Sequence, residues 1–193
     1  MYMMKAESPG PSVGKLVPRV KRTAVILYGM YVGLSILQLV FLLAGKMPVF
    51  DALVTMFGTA GTGGFGIKND SMGSYSPYIQ WVVTVFMILF GVNFNLYYLL
   101  LKKKWKSAAS STEVRVYFSI ILISIALITI NISPLFSNIW ESLRHAAFQV
   151  GTIITTTGFA TTDFDLWPSF SKTILVLLMF IGACAGSTGG GIK

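Results

Sequence analysis

Two stretches of this chain decide its fold: Ala60-Gly61-Thr62-Gly63-Gly64-Phe65 and Thr155-Thr156-Thr157-Gly158-Phe159. Each follows an apolar segment about half as long as a membrane crossing, and each precedes a long uncharged run. Setting Gly64 on Gly158, an offset of 94, also sets Ala52 on Ala146 and Phe65 on Phe159. After a slip of three, Pro77 falls on Pro168 and Gly91 on Gly182. Self-similarity at a fixed spacing marks an internal duplication. The repeated unit is a span, a half-length helix, a glycine turn and a second span.

Composition supports the membrane reading. The 193 residues are 54% hydrophobic and 11% charged, with a mean hydropathy of +0.71; a soluble domain carries roughly 25% charged residues. Residues 23–45, 71–101, 116–140 and 173–192 contain no charge at all. A bilayer core needs roughly 20 apolar residues as a helix, so each stretch is long enough to cross. The expected class is an all-α membrane protein built as two tandem span–pore-helix–filter–span repeats.

The expected division is a lead at 1–23, a first repeat at 24–101, a basic hinge at 102–115 and a second repeat at 116–193. Gly45 and Pro48 end the first span, and residues 49–60 then make a helix of about 18 Å, half a bilayer. Pro77 opens the second span, which the uncharged run carries to about Leu101. In the second copy the half-helix lies between about Asn138 and Ile154, and the last span starts at Pro168. The half-helices at 49–60 and 141–154 are expected to dip in from the non-cytoplasmic side. Trp81, Tyr97, Tyr98, Trp105, Trp140 and Trp167 stand near expected span ends, where interfacial aromatics gather.

The net charge of +8 is distributed along the chain. Lys5, Lys15, Arg19, Lys21 and Arg22 precede the first span, and Lys102, Lys103, Lys104, Lys106 and Arg115 fill the hinge. The segments expected on the opposite side carry Lys46, Lys68, Arg144 and Lys172. Ten against four places the N-terminus and the hinge in the cytoplasm. The lysine cluster suits an anionic lipid surface better than nucleic acid. Cys184 is the single cysteine, so neither an internal disulfide nor a thiolate zinc site can form.

The chemistry is expected at the two turns. At membrane depth, irregular backbone persists only where it is buried in protein or lines a cavity. A cation surrounded by carbonyls satisfies such backbone, as in channel filters. Thr62, Gly63, Gly64 and Phe65 form one candidate filter segment, and Thr156, Thr157, Gly158 and Phe159 the other. Potassium would sit at Thr62, Gly63 and Gly64 and at Thr156, Thr157 and Gly158. The half-helices aim the negative ends of their dipoles at the same place.

These residues resemble a known family. The runs are Ala6-Glu-Ser-Pro-Gly-Pro11 with Pro18-Arg19, Ala60 to Phe65, Gly91-Val-Asn-Phe-Asn-Leu-Tyr-Tyr98, Arg144-His-Ala-Ala-Phe-Gln149 through Pro168, and Gly182-Ala-Cys-Ala-Gly-Ser-Thr-Gly-Gly-Gly-Ile-Lys193. Together they look like the TrkH-type subunit of bacterial potassium uptake, in the Trk/Ktr/HKT superfamily. That family carries four span–pore–span repeats around one pore, and this chain resembles the second and third. The resemblance implies that Gly182, Gly186, Ser187, Thr188, Gly189, Gly190, Gly191 and Lys193 belong to an intramembrane loop that gates the pore from beneath. It also implies a multi-pass protein of the bacterial inner membrane and a homodimer in full-length form. A cytoplasmic nucleotide-binding regulatory subunit of TrkA type would be its partner.

Other readings are weaker or stay open. Gly191-Ile192-Lys193 lacks the Gly-Lys-Ser/Thr order of a phosphate-binding loop. Asn93 and Asn95 either face the pore or bond a neighbouring helix. His145, the single histidine, has no second metal ligand in sequence reach, and a structural role is expected. Asp163 and Asp165 either concentrate cations at the outer mouth or are solvated loop acids. No cofactor and no enzymatic constellation are expected. The alternatives to potassium transport are a truncated, non-conducting form of the same fold and a helical membrane scaffold or regulatory subunit.

Overall fold

A computed structural model of the chain describes residues 20–103 and 111–191. The lead at 1–19, Lys104, Trp105, Lys106 and Lys193 therefore lie outside the described residues. Among those described there is no β-strand; the order is α1 (Val20–Ala44), α2 (Val49–Ala60), α3 (Pro77–Phe90), α4 (Phe94–Leu101), α5 (Thr112–Ile132), α6 (Ile139–Ile154) and α7 (Ser169–Ile181). Short 3-10 turns occupy Ser133–Leu135 and Phe164–Leu166.

The starts of the helices follow from local chemistry. The Ser76 side chain accepts a bond from the Ile79 N–H at 3.4 Å, with Pro77 in the first turn. Asn138 caps α6 by accepting from the Trp140 N–H at 3.1 Å. Asn93 caps α4 the same way, accepting from the Asn95 N–H at 2.9 Å.

Among the described residues, two helices are long and apolar enough to cross a membrane, over Ala24–Ala44 and Thr112–Leu135. The uncharged run at 71–101 is not one straight crossing. It breaks after Phe90 and resumes at Phe94, bent by 90°. The last uncharged run is helical only as far as Ile181, where Gly182 takes φ +71° and ends α7. Pro77 and Pro168 open these two second spans, and Gly91 and Gly182 close their first helices. Both repeats thus break the second span at the matched glycine. In the first copy the chain returns to helix, and in the second it becomes a glycine-rich loop.

The two repeats share their cores. The cluster around Leu42, Ala52, Met56, Met87 and Phe90 takes in Phe148 and Phe159 of the second copy. The cluster around Ile128, Ala146, Val150 and Leu178 takes in Val92 of the first. Burial of such side chains stabilises by about 1.5–3 kcal/mol each against water, and against lipid the gain is tight packing. α3 lies along α6 and joins the repeats. Many large apolar side chains on α1, α5 and α7 face outward, among them Val40, Ile130 and Phe180. That is what a lipid-facing surface requires.

The aromatic residues divide. Trp140 is exposed, as an interfacial residue would be, whereas Tyr98 and Trp167 are buried in the protein. Lys102 lies over the Tyr98 ring at 4.9 Å.

Candidate ion-filter site

The two glycine turns repeat each other in all but one backbone hydrogen bond. α2 ends at Ala60 and α6 at Ile154, positions matched by the same offset of 94. The next residues take nearly identical backbone: Gly61 at φ −86°, ψ 2° and Thr155 at φ −91°, ψ 0°. The Gly61 N–H donates to the Phe57 carbonyl at 2.9 Å, and the Thr155 N–H to the Gly151 carbonyl at 3.2 Å. The Gly63 N–H reaches the Gly58 carbonyl at 2.8 Å, and the Thr157 N–H the Thr152 carbonyl at 2.9 Å. Positive φ then falls on matched residues, Thr62 (50°) with Thr156 (56°) and Gly64 (65°) with Gly158 (94°). Threonine rarely enters this left-handed region, and a non-glycine there is strained by about 1–3 kcal/mol. The same strain recurs at the same place in both copies.

One bond differs, and the sequence explains it. The Gly64 N–H donates to the Gly58 carbonyl at 3.3 Å. Its counterpart, the Gly158 N–H, donates to the Thr152 hydroxyl at 3.0 Å, because the second copy has a side chain where the first has Gly58.

The turns meet each other edge to edge. A Cβ built on Gly64 would stand 2.1 Å from the Thr157 carbonyl oxygen and 3.0 Å from the Gly158 Cα. Only glycine fits there. A Cβ on Gly158 would meet nothing within 4 Å. Phe159 is 1% exposed and packs toward Gly58 on α2, while the matched Phe65 is 81% exposed. Each turn therefore offers the same two surfaces, one occupied by the neighbouring copy and one open.

Polar contacts brace the far side of the turns. The Met72 N–H donates to the Ala160 carbonyl at 2.9 Å, and the Ala160 N–H donates to the Ser71 hydroxyl at 3.2 Å. Tyr75 donates to the Asp51 carboxylate at 2.7 Å. His145 stacks on Phe136 with ring centroids 4.9 Å apart, and its Nδ1 lies 2.8 Å from the Thr161 hydroxyl. These contacts anchor the end of the second turn. Asp163 and Asp165 are both exposed; the Asp163 carboxylate accepts from the Asp165 N–H at 3.0 Å and caps the short turn there.

The glycine-rich segment after α7 lies against both turns. The Thr62 hydroxyl donates to the Thr188 carbonyl at 3.2 Å, and the Gly190 N–H donates to the Thr156 hydroxyl at 2.8 Å. A Cβ on Gly189 would come within 3.1 Å of the Thr155 carbonyl, and one on Gly190 within 3.0 Å of the Thr156 hydroxyl. Gly182, Gly186 and Gly191 take φ of +71°, +73° and +120°. Ser187 bonds back to the Cys184 carbonyl at 2.6 Å, and Cys184 itself is buried.

The same segment also closes the end of α3. The Cys184 N–H donates to the Gly91 carbonyl at 3.0 Å, and the Thr188 N–H to the Phe90 carbonyl at 3.3 Å. Tyr97 donates to the Leu89 carbonyl at 2.6 Å and Tyr117 to the Ile88 carbonyl at 3.2 Å. The carbonyls that a helix end leaves orphaned are thereby met one after another. Glu113 completes the group, accepting from the Ala185 N–H at 2.6 Å and from the Asn93 amide at 3.4 Å. Asn93 thus bonds a neighbouring helix.

Sequence reasoning missed Tyr97, Tyr117, Glu113 and the break at Gly91. Only the match of Gly91 to Gly182 carried a signal. Gly91 is also tighter than a span glycine should be, since a Cβ there would meet the Tyr117 hydroxyl at 2.3 Å.

A family model described as TrkH, cation transport protein, matches residues 2–193. The chain is 36% identical over 200 residues to the Trk system potassium uptake protein TrkH of Salmonella typhimurium, covering 100% of this chain and 41% of that protein. It is 32% identical over 202 residues to the Trk system potassium uptake protein TrkG of Escherichia coli K12, covering 99% of this chain and 40% of that protein. The crystal structure of the potassium transporter TrkH from Vibrio parahaemolyticus superposes with a TM-score of 0.83 at 32% identity, over 93% of this chain and 40% of that one. The chain thus spans about 41% of the length of the relatives it matches. It belongs to the TrkH cation transport family, and its fold is that of a pore-loop membrane protein.

Proposed function

We propose that this TrkH-family chain supplies two adjacent arcs of a potassium pathway, with the ion dehydrated by backbone carbonyls at Thr62–Phe65 and Thr156–Phe159. The observation that carries this reading is the matched pair of strained turns, abutting at Gly64 and Thr157, each at the C-terminal end of a half-helix. Two closely matched backbones set edge to edge are what a carbonyl ring requires of neighbouring arcs. The open side of Gly158 and the exposed Phe65 are the surfaces on which further arcs of the same kind would seat. The potassium-uptake names of the relatives support potassium as the ion, and their greater length leaves room for the remaining arcs.

In the same reading, Gly182–Gly191 is the gate. It hangs from Thr62 and Thr156, in the path of an ion leaving the filter. Releasing it breaks its neutral hydrogen bonds to Thr62, Thr156, Phe90, Gly91 and Phe94, each worth about 0.5–1.5 kcal/mol net, and the bond from the Ala185 N–H to the Glu113 carboxylate. The protein sits in the bacterial inner membrane with its N-terminus in the cytoplasm. Its partners are the bilayer, the remaining pore repeats, a second copy of the full-length protein and a cytoplasmic nucleotide-binding subunit of TrkA type.

The test is ion uptake in a potassium-transport-deficient strain, with changes placed in a full-length chain. Gly64→Ser and Gly158→Ser should each lower the preference for potassium over sodium. Gly33→Ser, where a Cβ meets nothing within 4 Å, should leave it intact. An unchanged preference in both filter variants would remove the assignment.

A further inference from the structure

The break between α3 and α4 and the glycine-rich loop share one set of hydrogen-bonding groups. At the break, the Phe90 carbonyl accepts from the Thr188 N–H at 3.3 Å and the Gly91 carbonyl from the Cys184 N–H at 3.0 Å. On the other side of the break, the Phe94 N–H donates to the Gly186 carbonyl at 3.1 Å, and the Asn95 N–H to the Asn93 side chain at 2.9 Å. In an unbroken α-helix each N–H donates four residues back. Phe94 would then bond Phe90 and Asn95 would bond Gly91. The carbonyls now held by the loop are those the straight helix would use, and the donors are already in sequence. Residues 91–95 contain no proline, so nothing in the backbone forbids the helix.

One side chain joins the two halves of this arrangement. Glu113, exposed on the first turn of α5, accepts from the loop through the Ala185 N–H at 2.6 Å and from the break through the Asn93 amide at 3.4 Å. Gly186, at φ +73°, lies against Asn93, where a Cβ would stand 3.2 Å from the Asn93 side-chain oxygen. The contact requires both the glycine and the bent span.

We propose that the loop and the α3–α4 break form one two-state switch, with Glu113 as the positioning residue that holds it in the bent, loop-docked state. In the other state the loop leaves the filter, and α3 and α4 join into one helix across Gly91–Asn93. The exchange keeps the buried carbonyls of Phe90 and Gly91 satisfied, which membrane depth demands. A loop leaving alone would orphan both. The inference rests on the gating reading only for its effect on ion flow; the coupling itself stands on the bonds.

The test measures the span directly. Spin labels go on Trp81→Cys and Leu101→Cys, in a full-length family chain with Cys184→Ala and no other cysteine. With α3 and α4 at 90°, arms of about 15 Å and 12 Å set these positions roughly 19 Å apart; one straight helix sets them about 30 Å apart. Glu113→Ala should move the population from the short to the long distance and raise rubidium uptake several-fold. Glu113→Gln keeps an acceptor for the Ala185 N–H and should restore the short distance. Gly186→Ala displaces the loop with Glu113 intact and should also lengthen it. A short distance in both Glu113→Ala and Gly186→Ala overturns the switch, whatever the uptake. A lengthened distance with unchanged uptake upholds the switch and removes the loop as the gate.

Discussion

The hydroxyls of Thr62 and Thr156 hold the same loop from two matched positions. One donates to the Thr188 carbonyl at 3.2 Å, and the other accepts from the Gly190 N–H at 2.8 Å. Both threonines take a left-handed backbone. The duplicated turn thus has two structural features in both copies, a left-handed threonine and a hydroxyl bonded to the glycine-rich segment.

This relationship gives a paired prediction. Thr156→Val removes the acceptor for Gly190 and should weaken loop docking by about 1 kcal/mol, while Thr156→Ser keeps it. Expressed in a full-length chain, the valine variant should leak more rubidium than the serine variant, several-fold at equal expression. Equal uptake by the two would show that the hydroxyl does not restrain the loop.

The two matched turn glycines, Gly64 and Gly158, should not be equivalent to substitution. In a chain of these 193 residues, Gly64→Ala strains the backbone and drives a Cβ into the Thr157 carbonyl at 2.1 Å, whereas Gly158→Ala meets only the strain, about 1–2 kcal/mol. Thermal unfolding in detergent should therefore show the larger loss for Gly64→Ala. The reverse order would mean that the turns do not abut as described.

Much of this was legible in the sequence, and the reasons are local. Glycine spacing exposed the duplication because only glycine fits at Gly64 and Gly182, and proline marked the starts of the second spans. The half-helices followed from length. The bend at Gly91–Asn93 was hidden, because the run from Pro77 to Leu101 is uncharged throughout and hydropathy cannot tell a straight span from a broken one. Glu113 was hidden for another reason. Its partners, Ala185 and Asn93, are distant in the chain and are fixed only by how α5 packs. Tyr97 and Trp167 looked interfacial by position, but Tyr97 serves the Leu89 carbonyl and Trp167 is buried.

Phe65 and Phe159 report on what surrounds the chain. Phe159→Ala removes a buried ring and should cost about 3–5 kcal/mol. Phe65→Ala should cost almost nothing in a chain of these 193 residues and several kcal/mol in a full-length one, where a further repeat would cover it. Denaturation of both chains, compared side by side, checks this; equal small costs in both would mean that Phe65 faces lipid in the whole protein.

A chain of these 193 residues reconstituted alone in liposomes should pass no potassium above background. Two arcs do not surround an ion, and matched positions such as Gly61 and Thr155 or Gly63 and Thr157 differ, so pairing two copies would not reproduce one ring. Selective flux from this polypeptide would contradict that, and cross-linking would then identify the assembly responsible.

The central claim is that the paired turns hold the ion. Anomalous diffraction from a full-length crystal soaked in rubidium tests it most directly. The account predicts a rubidium peak bounded by the Thr62–Gly64 and Thr156–Gly158 carbonyls, lost in Gly64→Ser. A rubidium site elsewhere along the pathway, with no density between these two turns, would contradict it.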